Sequence, residues 1–282
     1  MHDDRPSKTA FRVALRRAAH QILDNPKVFT DPLALAIVGA EGETALRVEA
    51  TRFQTPAGRT LRAFMAVRSR YAEDSLATAF ENGIRQYVVL GAGLDTFAYR
   101  NPFSDLRVFE VDHPATQAWK RRRLEAGGIA IPTSMTFAPV DFESQTLADG
   151  LARAGFDAAR PAFFSWLGVV PYLTRSAAME TFRFVGSRPA GSAIVFDYAL
   201  PAESLSLVQR LALKALSDRV AAAGEPFRTF FEPSVLMSEL RPMGFGSFED
   251  LGTEEINARY FNGRADGLRA RGGIGRLMRA GV

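Results

Sequence analysis

Two rhythms of apolar and polar positions divide the chain. Up to about residue 83 the spacing is helical. Phe11 to Leu23 is amphipathic, and Asn25-Pro26 and Asp31-Pro32 punctuate the chain after it, since a residue before proline is pushed out of the helical region. Ala63 to Asn82 reads as one long helix with Tyr71, Leu76, Ala79 and Phe80 on one face, closed by Gly83. From about residue 84, short apolar runs alternate with helical stretches. The runs near 86–91, 107–112, 135–141, 161–167 and 192–198 predict strands, and Phe245–Leu251 and Gly273–Val282 could supply the last ones. Pro114 sits at a first helical position and Gly127-Gly128 close that helix. Thr174 caps another, whose Ala178, Met179, Phe182 and Val185 fall at helical spacing. Ala202 to Ala223 predicts an inserted helix and Ser234 to Leu240 a further one. Such alternation implies an α/β fold, a mostly parallel sheet with helices on both faces. Residues 1–83 are expected to form an N-terminal helical cap, and 84–282 the main domain with a helical insertion near 202–223.

One strand end carries chemistry. Tyr87 to Leu90 run straight into Gly91-Ala-Gly93, and a second run, Arg107 to Val111, closes on Asp112. A glycine turn after one strand, with an acid ending the next, is how an α/β sheet holds a nucleoside: the backbone comes close to the ligand and the carboxylate accepts from ribose hydroxyls. A dinucleotide fingerprint wants a third glycine where this chain has Thr96, preceded by Asp95. A carboxylate there repels a diphosphate but can pair with an ammonium group. S-adenosylmethionine has a ribose and an ammonium and no phosphate, so charge favours it over NAD or FAD.

Composition narrows the alternatives. The chain has no cysteine and only His2, His20 and His113, scattered, so thiolate and zinc sites of ordinary spacing are excluded and no metal is expected. Net charge is +4, and the densest basic run, Lys120-Arg-Arg-Arg123, lacks interleaved aromatics. It reads as the solvated face of a helix, not as a nucleic-acid surface. The uncharged stretch from Pro161 to Leu173 is too short to span a bilayer, and Asp3, Asp4 and several arginines precede any apolar run. A cytoplasmic protein is expected, with no membrane partner.

With these residues in place the chain resembles a class I S-adenosylmethionine-dependent methyltransferase, and more narrowly the leucine carboxyl methyltransferase family with its bacterial O-methyltransferases. The likeness rests on Phe29-Thr-Asp-Pro32, Arg68-Ser-Arg70, Gly91-Ala-Gly-Leu-Asp-Thr96, Phe109-Glu-Val-Asp-His-Pro114, Val140-Asp-Phe142 and Gly168-Val-Val-Pro-Tyr-Leu173. It implies a Rossmann-like seven-stranded sheet, S-adenosyl-L-methionine as cofactor and a small-molecule methyl acceptor. It also implies roles. Arg68, or Arg70, clamps the cofactor carboxylate; Gly91 and Gly93 leave room for the methionine part; Asp112 takes the ribose; Asp141 accepts from the adenine amino group; and Phe142 lies on the ring. Asp95 joins this set through its charge. Many relatives place an acid where this chain has Leu167 beside Trp166, so acceptor identity does not transfer with the resemblance.

Bases are few. His113 adjoins the expected site and Tyr172 could orient an acceptor at the fourth strand. Methyl transfer needs alignment above all, and an ionised carboxylate acceptor needs no general base. An NAD-dependent oxidoreductase and a catalytically silent cofactor-binding protein are the rival readings.

Overall fold

The computed structural model describes residues 8–141, 145–222 and 224–282. Seven strands form one sheet: β1 (Gln86–Leu90), β2 (Arg107–Asp112), β3 (Met135–Pro139), β4 (Phe163–Trp166), β5 (Ala193–Ala199), β6 (Ser247–Leu251) and β7 (Gly275–Gly281). Their spatial order is β3-β2-β1-β4-β5-β7-β6. The pairs among β1 to β5 are parallel, whereas β7 runs antiparallel to both β5 and β6. The strand order reverses direction between β1 and β4, and ligands of open α/β sheets bind at such a point outside the carboxyl ends.

Every residue of β1, β4 and β5 is buried, which is why these segments read as continuous apolar runs and not as alternating ones. Successive side chains still go to opposite faces. Val88, Leu90, Ile194 and Phe196 pack with Leu151, Phe182 and Leu240 from α6 (Leu147–Arg153), α7 (Arg175–Gly186) and α9 (Pro233–Leu240). Tyr87, Val89, Ala193 and Val195 pack with Val67, Leu76 and Ile256 from α4 (Pro56–Glu81) and α10 (Thr253–Tyr260). A third apolar cluster joins α1 (Lys8–Leu23) and α2 (Ala34–Val48) to Leu124 of α5 (Pro114–Ala126).

Several elements differ from the expectation. α4 begins at Pro56, because Thr55 caps it by accepting from the Gly58 N–H and proline suits the first helical position. The segment Gln54–Gly58 is therefore the junction of α3 (Ala50–Gln54) with α4. The inserted helix starts later than expected, as α8 (Leu207–Ala221) behind a Ser206 capping box. α10, between β6 and β7, is not expected from the spacing. The basic run is solvated only in part: Arg121 and Arg122 are exposed, but Lys120 is buried, 2.7 Å from the Glu110 carboxylate. Burial pushes the Glu110 carboxyl up to about 7, against the pull of Lys120.

No helix among the described residues is long and apolar enough to cross a membrane.

Candidate active site

The turn after β1 is built by packing as much as by sequence. Gly91 has φ +64°, and a Cβ there would lie 2.3 Å from the Val169 side chain in the loop after β4. Both constraints demand glycine. The Ala92 N–H donates to the Val111 carbonyl, which ties the turn to β2. Gly93 meets the first turn of α1: a Cβ on it would lie 3.1 Å from that of Ala10. The N-terminal helix thus rests on the glycine turn itself.

Asp112, half-buried at the end of β2, accepts from the Gly93 N–H at 2.6 Å and from the His113 N–H at 2.7 Å. Burial raises its carboxyl above the usual range, and these two amides oppose that. A carboxylate offers about four lone-pair positions, so roughly two remain for vicinal hydroxyls. The residue fits a ribose. Asp112 is not the cap of α5; His113 is, its Nδ1 accepting from the Ala115 N–H at 3.2 Å. Asp141 stands just beyond β3, half-buried, next to Val140, whose N–H donates to the Asp112 carbonyl. Phe142 lies outside the described residues.

Across the switch point, Arg68 projects from α4 beneath the loop after β4. Its Nη1 donates to Asp197 Oδ2 at 3.0 Å, and both groups are buried. The other Asp197 oxygen accepts from the Gly168 N–H. Gly168 has φ +72°, and a Cβ there would lie 2.8 Å from the guanidinium nitrogens. The loop can pass this close to Arg68 only through a glycine. Arg70, by contrast, is exposed and pairs with Asp74.

Asp95 turns towards its own backbone. One oxygen accepts from the Phe97 N–H at 2.8 Å, and the other lies 3.8 Å from Arg17. Thr96 is fully buried. Its hydroxyl donates to Asp31 at 2.8 Å and accepts from Arg100 at 3.2 Å. The third glycine place therefore holds a side chain that ties the turn to the N-terminal layer. After it comes only a 3-10 turn, Phe97–Tyr99, and no α-helix stands between β1 and β2. A diphosphate has no helix N-terminus to bind there.

Tyr172 ends a 3-10 turn after β4, its ring 5.1 Å from that of Phe227. Burial pushes its phenol up to about 12; Arg68 opposes this while Asp197 and Glu225 add to it. At neutral pH it is a hydrogen-bonding phenol and not a base. His113 has spent its acceptor nitrogen on the helix cap, which leaves N–H at Nε2 in the neutral ring. His20 lies buried elsewhere, its Nδ1 2.7 Å from Asp24 and its Nε2 accepting from the Val28 and Phe29 N–H groups. Among the described residues no group of three or more His, Cys, Asp or Glu could hold a metal ion.

Two participants are missing from the set read off the sequence. Asp197 has a visible signal, a carboxylate within the apolar run Ile194 to Ala199, since buried acids are rare without a partner. Glu225, which accepts from the Thr9 N–H at 3.2 Å, gives none, while Val169 lies inside the Gly168–Leu173 motif without a role of its own there.

The leucine carboxyl methyltransferase family matches residues 10–186. A Bacillus subtilis (strain 168) protein, YktD, provisionally named an S-adenosyl-L-methionine-dependent methyltransferase, is 33% identical over 300 aligned positions, covering 96% of each chain. A similarly named Mycobacterium marinum protein is 32% identical over 197 positions, 65% of this chain and 62% of that one. Among solved structures, a provisionally assigned methyltransferase from Thermobifida fusca shares the fold with a TM-score of 0.56 and 18% identity, over 99% of this chain and 95% of that one. With the family matched across more than half its length and a relative aligned from end to end, the chain belongs to the leucine carboxyl methyltransferase family.

Proposed function

We propose that this S-adenosylmethionine-dependent methyltransferase methylates an acidic oxygen, a carboxylate or a hydroxyl, on a small molecule. The observation that carries the reading is the seam between Gly93 and Asp112, where a backbone turn and a carboxylate with lone pairs to spare meet at the carboxyl ends of β1 and β2. Asp112 would hold the ribose, Asp141 the adenine amino group, and Arg68 the cofactor carboxylate. Arg68 is already oriented for this by Asp197, and its guanidinium has donors beyond the one spent there.

The bound cofactor supplies a sulfonium methyl whose departure leaves a neutral thioether. The protein's part is then alignment and exclusion of water. The first turn of α1 lies over Gly93 and reaches Glu225, so α1 and the segment after α8 would cover the site from outside. Tyr172 would orient the acceptor by hydrogen bonding. The Tyr172 phenol is not a base at neutral pH and the His113 Nδ1 is engaged by the Ala115 N–H, which favours an acceptor that arrives ionised. The 3-10 turn and buried Thr96 after the glycines argue against the NAD-dependent alternative.

A screen of extracted acidic metabolites with isotopically labelled methyl donor tests the reading. Label on oxygen is expected, base-labile where the product is an ester and base-stable where it is an ether. Label only in base-stable products formed on nitrogen or carbon would contradict it.

A further inference from the structure

The outer side of α1 shows a second charged feature, away from the strand ends. Along α1, Ala10, Ala14 and Arg17 face inward, where Ala10 meets Gly93 and Arg17 donates to the Leu94 carbonyl at 3.1 Å. Arg12 and Arg16 stand on the other face. They line a surface pocket of about 200 Å³ together with Arg52 from α3 and Arg219 from the last turn of α8. Four guanidinium groups thus converge from three separate chain segments. Glu49, paired with Arg52 at 2.8 Å, is the one carboxylate in the lining. The floor is apolar, with Leu15, Phe53 and Leu61.

The third wall is the start of α4. Thr55, Ala57 and Gly58 line the pocket, so the capped start of α4 closes the side facing the arginines. Burial, and then the charges of Arg52, Arg219 and Arg12, lower the Arg16 guanidinium to about 10. Like charges gathered against one carboxylate repel one another, and an anion among them removes that repulsion.

We propose that Arg12, Arg16, Arg52 and Arg219 form a binding site for a multiply charged oxyanion of a small molecule. The ligand class is a phosphate or polycarboxylate group. Guanidinium forks suit the planar or tetrahedral oxygens of both, and the apolar floor accommodates a short carbon body beside them. Because α1, α3, α4 and α8 all contribute, an anion here would pin α1 from outside while Ala10 holds the glycine turn from inside.

Calorimetric titration of the 282-residue chain with pyrophosphate and, separately, with citrate tests this, against sodium chloride of equal ionic strength. Saturable binding of either anion is expected, and the tighter one identifies the oxyanion type. The Arg16→Gln/Arg219→Gln double variant should weaken it roughly tenfold or more, as loss of charge-assisted hydrogen bonds requires. Glu49→Gln should tighten it. This second variant keeps the test decisive if the double variant folds poorly. Equal affinity in wild type and both variants, or no response beyond that of sodium chloride, would overturn the proposal.

Discussion

The central strands and the helices in front of them meet by different physics. β1, β4 and β5 are buried at every position, and apart from the Arg68–Asp197 pair their contacts with α4, α7 and α9 are apolar. The N-terminal layer also buries apolar groups, but charges lock it. Arg62 is fully buried and grips Asp24 through Nε at 2.6 Å and Nη2 at 2.7 Å, while His20 holds the same carboxylate. Arg17 binds Asp31 at 2.9 Å, and Asp31 reaches Thr96 in the glycine turn. Apolar packing is non-directional and tolerates small slides. A bidentate ion pair fixes distance and angle. The contrast accounts for how a layer outside the sheet can be held at a set height over Gly93.

The largest effect expected from this contrast is on stability. Arg62→Leu leaves the Asp24 carboxylate buried without its main partner and should cost about 3–5 kcal/mol in urea unfolding, the range for breaking a buried pair. A comparable loss from an exposed pair such as Arg70–Asp74, where exposed pairs contribute roughly 0–1 kcal/mol, would erase the distinction between the two kinds of contact.

Next comes the seam itself. Asp112→Ala should weaken S-adenosylhomocysteine binding by roughly 1.5–3 kcal/mol, as for hydrogen bonds to a charged group, with the fold retained. Wild-type affinity in that variant would leave Asp112 only its links to the Gly93 and His113 amides.

The polar layer should also fail first in acid. Burial alone would raise the Asp24 carboxyl, but the Arg62 and His20 hydrogen bonds outweigh it and hold the group at about 2, below its ordinary 3.8. A depressed carboxyl stabilises the fold above its unfolded value and loses that contribution as pH falls through the folded one. Roughly 2 kcal/mol should therefore disappear between about pH 4 and pH 2. Asp31, also depressed despite burial because of Arg17 and Arg100, acts in the same direction. Hydrogen exchange across this interval should rise in α1 and α2 before it rises in β1 and β5. Simultaneous loss of protection in both would mean that one cooperative unit spans them.

The smallest effect belongs to Tyr172→Phe. It keeps the ring against Phe227 and removes only the hydroxyl, so cofactor affinity should change by less than about 1 kcal/mol. Any loss should fall on the acceptor's KM. A large drop in S-adenosylhomocysteine affinity would move Tyr172 from the acceptor side to the cofactor side.

Legibility in the sequence divides along the same line. The sheet is readable because its strands are short apolar runs with glycines at the turns, and Gly91, Gly93 and Asp112 declare themselves by spacing. The antiparallel β7 is not, since an apolar run carries no direction. The polar layer is hidden because its partners lie far apart along the chain: Asp24 with Arg62, Arg17 with Thr96. Lys120 misleads for a related reason. A run of four basic residues gives no hint that one of them turns inward to Glu110. The arginine pocket needs residues 12, 16, 52 and 219 together, a juxtaposition that only the folded chain creates.

Which nucleoside the seam accepts is the decisive question. Titration calorimetry of the purified chain with S-adenosylhomocysteine and with NAD, each repeated on Asp112→Ala, addresses it most directly. One saturable S-adenosylhomocysteine site that weakens in the variant is predicted, with no binding of NAD. Saturable NAD binding that depends on Asp112, with none of S-adenosylhomocysteine, would contradict the assignment.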